Sequence, residues 1–247
     1  MIDLRRDGDV FVLTMDDGEN RWNTSFVREF GSAIGEVAAS EGPAALVTTS
    51  SNPKFFSNGL DLAWYLAGAE DLDAVARGGD RTDFAEEFMV MAASLITLPV
   101  PTVAAVNGHG FGAGFMVALC HDARIMNEER GFLCANEAEL GLRVPVPELA
   151  LFHHKIPAPA FHETIVLAKR WSGRAAADAG FVEQAVPAEQ VLPAAMERAA
   201  ALVHLAADRR VMSWHKEQLY GKDAAINLPH GAAHLLRNLA EFSPHST

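Results

Sequence analysis

Four glycines at alternating positions, Gly108, Gly110, Gly112 and Gly114, follow the strand-like run Thr102 to Val106 and lead into Phe115-Met116-Val117-Ala118. A buried strand must therefore pass through a turn bare of side chains into a helix. Several backbone N–H groups can then converge on one spot that suits an anion. Strand-like and helix-like runs alternate around this cluster. Val10 to Met15 reads as a strand ended by Asp16-Asp17-Gly18, Asn23 or Thr24 caps a helix to about Ser40, and Ala44 to Thr49 is a buried strand. Asp83 to Leu98 is helical until Pro99-Val100-Pro101 breaks it, and Ala123 to Met126 and Phe132 to Cys134 are two short strands. From Pro147 onward almost everything is helical, with Phe181 to Val186 the one further strand. The expected class is α/β with a largely buried sheet, followed by a helical third. Gly68 to Thr82 is the most turn-rich interior stretch and reads as a loop or short helix over a site.

Gly108, Gly110 and Ala113 formally match the dinucleotide fingerprint, and Glu128 lies about 20 residues on, where a ribose-binding acid would stand. Against this, the helix from Gly112 has only about nine residues before Asp122, and no second nucleotide-binding half follows. A third reading needs no ligand at all, with the glycines serving tight helix–strand packing.

Composition narrows the partners. Lysine and arginine number 20 against 32 acidic residues, a net charge of −12, which argues against nucleic acid or an anionic membrane as partner. Cys120 and Cys134 sit in apolar contexts and read as reduced core thiols of a cytoplasmic protein. No apolar stretch approaches the roughly 18 residues that span a bilayer. The first residues do not read as a signal peptide, nor the last as a peroxisomal address. His109, His121, His153 and His154 lack an acid or cysteine at ligand spacing, so no metal site is expected. A G-x-S-x-G elbow is absent as well.

Three blocks, Phe55-Phe56-Ser57-Asn58-Gly59-Leu60-Asp61-Leu62, Pro101 to Asp122 and Asn136-Glu137-Ala138-Glu139-Leu140-Gly141, resemble in order and spacing the enoyl-CoA hydratase/isomerase (crotonase) superfamily. The resemblance covers roughly residues 8 to 190. It implies a crotonase-like ββα spiral over residues 1–190 with the acyl-CoA site. Residues 191–247 would form a C-terminal helical oligomerisation region that builds a homotrimer or a hexamer. It further implies an acyl-CoA enzyme of fatty-acid metabolism with no cofactor beyond the coenzyme A that the substrate carries. The oxyanion hole would be the backbone N–H groups of Leu60 and Ala113, with Asn58, Gly59, Asp61, Gly112, Met116 and Arg21 around the substrate. Lys54 is a further candidate cation for the CoA phosphates, and Lys216 and Lys222 in the C-terminal helices would reach a neighbouring subunit's ligand.

The general base decides the reaction. Hydratases of this family use two glutamates to hold a water, and at the first of those positions this sequence has Met116, whose thioether takes no proton. The second position matches Glu137. A single carboxylate suits a 1,3-proton shift, and the segment resembles the Δ3,Δ2-enoyl-CoA isomerases. The expected reaction is therefore 3-enoyl-CoA to trans-2-enoyl-CoA. A hydratase or another acyl-CoA lyase and an inactive CoA-binding member remain as alternatives. Glu139 competes with Glu137 but should face elsewhere on an extended loop, and an apolar pocket of Met116, Phe115 and Leu142 should raise the base's pKa. Substrate selectivity is expected in the segment 63–83.

Overall fold

The computed structural model describes residues 1–67, 82–222 and 231–242. Strands β1 (Ile2–Asp7) and β2 (Val10–Met15) form an antiparallel hairpin around Gly8. No strand was read from Ile2 to Asp7, because four of these six residues are charged and this edge strand is mostly exposed. Helix α1 (Thr24–Ala39) is capped by Asn23, whose side chain accepts from the Phe26 N–H. It turns Phe26, Phe30, Ile34 and Val37 inward at helical spacing.

The centre of the chain repeats one unit. Strands β3 (Ala45–Ser50) and β4 (Phe55–Ser57) are followed by helices α2 (Leu62–Leu66) and α3 (Thr82–Ile96), then β5 (Thr102–Val106) and β6 (His109–Phe111) by α4 (Ala113–Cys120), then β7 (Ala123–Asn127) by β8 (Leu133–Cys134). The first strand of each pair joins a six-stranded sheet ordered β1-β2-β3-β5-β7-β9, with β9 at Gln184–Val186. The second joins a three-stranded sheet, β4-β6-β8. Every pairing after β1–β2 is parallel, so the chain climbs as a ββα spiral. β4 and β6 went unread as strands because each has only three residues, and one of them lies within the glycine cluster.

Helices α5 (Val146–Lys155), α6 (Ala158–Val166), α7 (Gly173–Asp178), α8 (Val191–Leu202), α9 (Arg209–Tyr220), α10 (Ala232–Arg237) and α11 (Leu239–Phe242) complete the described chain. Both faces of the large sheet are covered, which explains its near-continuous apolar strands. One face meets the main core of Trp22, Phe26, Phe30, Phe88 and Phe115. The other meets α8, where Val191, Ala195 and Ala199 pack on Val47, Val103, Ala105 and Ile125. Among the described residues, no helix is long and apolar enough to cross a membrane. Most of the 68–82 loop and of the 63–83 selectivity segment lies outside the described residues, as do 223–230 and 243–247.

Candidate active site

The small sheet brings the distant blocks of the sequence together. Gly59, with φ +78°, lies so close to the β6–α4 turn that a Cβ there would stand 2.7 Å from the Phe111 carbonyl oxygen and 3.8 Å from the Ala113 nitrogen. Only glycine fits both that backbone conformation and that approach. Leu60 and Ala113 are thereby neighbours, although 53 positions separate them in the chain. The Trp22 N–H donates to Gly59 O and the Asp61 N–H to Trp22 O, which holds Leu60 in a short parallel bridge. Ala113 is the first residue of α4, so its N–H has no intrahelical acceptor.

The base candidate arrives from beyond β8. Gly112 caps α4 with φ +48°, and a Cβ there would lie 2.8 Å from Glu137 Oε1. The Glu137 carboxyl group therefore rests directly on the glycine turn, one residue before Ala113. Its segment is not extended as expected. Ala138–Leu140 is a short 3-10 turn whose Leu140 N–H donates to Glu137 O, and the Leu142 N–H donates there too. That turn sends Glu139 outward, where it forms a bidentate ion pair with Arg170 at 2.9 and 2.7 Å. Glu137 is mostly buried and its Oε2 has no partner. Burial pushes its carboxyl group above the usual carboxylate range, against a smaller opposing effect of its own backbone N–H.

The remaining residues fall in two groups. Asp61 is the N-cap of α2, accepting from the Trp64 N–H at 3.1 Å, so it fixes the loop that carries Leu60. Arg21 pairs with Glu19 at 2.7 Å, and the same Glu19 oxygen accepts from the Asn58 side chain, so Arg21, Glu19 and Asn58 form one chain beside the Leu60 bridge. Met116 is buried and Phe115 turns into the core against Phe152 and Phe181, so Phe115 belongs to the core rather than to a pocket wall. Lys54 lies over the Phe55 ring.

Lys216 cannot reach a ligand on a neighbouring subunit as the sequence suggested. It is 4% exposed, donates to Asp122 at 2.7 Å and to Val100 O at 2.9 Å, and ties α9 to the sheet. Asp122 also accepts from the Thr102 N–H and hydroxyl, so it ties the start of β5 to α9. His121 is a packed core histidine, with Nδ1 against Val117 O and Nε2 against Thr48 Oγ1. The dinucleotide reading does not fit the fold. A strand, β6, occupies the middle of its fingerprint, and Glu128 is paired with Arg174.

One acid near the site was missed altogether. Glu148 is in the first turn of α5 and is 7% exposed. Its neighbours in sequence, Val146-Pro147 and Leu149-Ala150, look like any helix start, where acids are common. No sequence signal tells that this one points inward.

Comparison with known proteins bears on the family and the fold. The family model described as enoyl-CoA hydratase/isomerase matches residues 5–236. Enoyl-CoA delta isomerase 2, peroxisomal, of Arabidopsis thaliana is 35% identical over 187 residues, covering 75% of this chain and 77% of that protein. Enoyl-CoA delta isomerase 1, peroxisomal, of the same plant is 32% identical over 224 residues, 89% of each. In fold, the crystal structure of a probable enoyl-CoA hydratase from Mycobacterium tuberculosis superposes with a TM-score of 0.80, at 23% identity, over 97% of this chain and 94% of that one.

Proposed function

Because the chain belongs to the enoyl-CoA hydratase/isomerase family and is an isomerase within it, we propose that it converts 3-enoyl-CoA to trans-2-enoyl-CoA by a proton shuttle on Glu137. The observation that carries this reading is the contact of Glu137 Oε1 with Gly112, beside the Ala113 N–H and the loop of Leu60. A thioester that places its carbonyl oxygen between the Leu60 and Ala113 N–H groups presents its C2 proton to a base on the same turn. Glu137 removes that proton, and negative charge develops on the thioester oxygen. Two preorganised N–H donors stabilise it, each worth on the order of 10²–10³ in rate. The double bond moves as Glu137, now a neutral acid, returns the proton to C4. No electron leaves the substrate, so the shuttle needs no cofactor besides the coenzyme A already in the thioester.

Burial favours the proton-holding form of Glu137, which suits a group that must both take and give a proton near neutrality. Arg21, next to Asn58, is the cation in reach of a CoA phosphate, with Lys54 as a second. A homotrimer or hexamer fits the exposed Val211 and Trp214 on α9, and a cytoplasmic site fits the free cysteines Cys120 and Cys134. The test is to assay 3-enoyl-CoA isomerisation beside crotonyl-CoA hydration for the wild type and Glu137→Gln. Isomerisation that Glu137→Gln abolishes supports the reading. An active Glu137→Gln, or hydration outpacing isomerisation, overturns it in favour of a hydratase or other acyl-CoA lyase.

A further inference from the structure

Two carboxyl groups, not one, have an oxygen buried without a partner, and the charge of Glu137 is felt at Glu148. Glu148 Oε1 and Glu137 Oε2 are both sealed from solvent, and neither has a hydrogen-bond partner. A buried carboxylate without a donor is costly, and two that sense each other cannot both ionise cheaply. One proton held between them answers both costs, since a protonated carboxyl donates an O–H while the other accepts it. We propose that Glu148 is a positioning residue of the isomerase site, sharing one proton with Glu137 so that the pair carries a single negative charge, placed on Glu137. This rests on the reading of Glu137 as the base.

Among the described residues, Glu148 Oε1 finds no hydrogen-bond partner around α5. The elements packed on that helix contribute Cys120 from α4, His162 and Glu163 from α6, His234 and Arg237 from α10 and Glu241 from α11. Cys120 is kept neutral, its thiol pushed up to about 12 by burial. Arg237 is engaged with Glu217 and Thr97. On α5 itself, Lys155 stands at the far end, against His121 O and the Tyr220 ring. Burial first and the Glu137 charge second push Glu148 up to about 8, so it enters the reaction as the neutral donor.

Its proton stays put during turnover. Glu137 takes the C2 proton and surrenders it to C4, while the Glu148 O–H holds the Glu137 carboxylate on Gly112. This supplies, from α5, a second carboxyl group that the Met116 position does not. Once the pair loses its last proton, the donor is gone and two negative charges repel, so the base is no longer held in place.

The experiment combines the pH profile of kcat for 3-enoyl-CoA with an infrared difference titration of the substrate-free protein. In the wild type, kcat falls above about pH 8 and a carboxylic-acid C=O stretch disappears over the same range. Glu148→Gln keeps an N–H donor, so it loses less of kcat than Glu148→Leu, and neither variant retains the alkaline limb or that stretch. Glu148→Leu loses about 10–10²-fold in kcat. Glu137→Gln moves the stretch to lower pH, because the neighbouring charge is gone. A wild-type alkaline limb in Glu148→Gln, or no carboxylic-acid stretch above pH 6 that depends on Glu148, overturns the proposal. If the wild type does not isomerise 3-enoyl-CoA, the functional reading fails, while the infrared titration still decides whether the two carboxyl groups share a proton.

Discussion

Glu137 rests on Gly112, with its Oε1 2.8 Å from where any side chain at position 112 would begin. The base and the turn that starts α4 are thus one packed unit. Gly112→Ala forces φ +48° on a residue with a Cβ, at about 1–2 kcal/mol, and pushes the carboxylate off the turn. The fold survives, because the obstructing atom ends a flexible side chain. We expect kcat to drop by about 10²-fold with a modest fall in Tm. Steady-state kinetics beside a melting curve check this, and a wild-type kcat would remove Glu137 from the chemistry.

Glu139 is the contrasting case. Its ion pair with Arg170 is exposed on both sides, so it is worth about 1 kcal/mol at most. Glu139→Ala should therefore change neither kcat nor KM beyond twofold and should leave the denaturation midpoint nearly in place. A large loss of activity in Glu139→Ala would show that the 3-10 turn presents the wrong glutamate.

Removing Lys216 leaves Asp122, whose side chain is partly exposed, without its cation. Lys216 is buried but Asp122 keeps solvent contact, so losing the charged hydrogen bond costs about 1.5–3 kcal/mol, and Lys216→Met should unfold at lower urea concentration. The double variant Lys216→Met with Asp122→Asn should recover part of that loss, because no uncompensated charge remains. KM for the acyl-CoA should stay the same in any variant that still folds. A raised KM with unchanged stability would restore Lys216 as a CoA contact.

Stability should depend on pH through Glu148 with a definite sign. The folded chain keeps this proton to about 8, whereas the unfolded chain releases it near 4.5. Between those values the native state binds more protons than the unfolded one. Stability is therefore lost as pH rises, by up to about 1.4 kcal/mol per unit. His121 opposes this below 6.5, because burial holds its folded value down to about 3 and the unfolded chain takes up the proton first. From pH 6.5 to 8 His121 no longer contributes, and comparison with Glu148→Gln cancels Lys155, whose folded value burial lowers to about 8. There the Tm of the wild type should fall relative to that of Glu148→Gln, and parallel curves would place the Glu148 proton elsewhere.

Much of this protein was legible before any coordinates. The runs Val10–Met15, Ala45–Ser50 and Thr102–Val106 are apolar or β-branched but for Ser50, because a doubly covered sheet demands it. The periodicity of Phe26, Phe30, Ile34 and Val37 marks α1 for a similar local reason. The three motif blocks pointed to Leu60, Ala113 and Glu137 only through the family resemblance that they carry. Short edges such as β1 and β4 were not legible, because three or six residues of mixed polarity carry no period of their own.

What only the tertiary structure decided is which distant groups meet. Gly59 against Phe111, Glu137 against Gly112, and Lys216 against Asp122 join segments 52, 25 and 94 positions apart. Nothing in the local pattern around Lys216 separates a surface lysine from a buried one, and nothing around Glu148 marks an inward carboxyl group. The sequence determined the elements, because propensity and periodicity act over a few residues. The pairing of buried charges was left to packing, because the cost of an ion depends on what surrounds it in space.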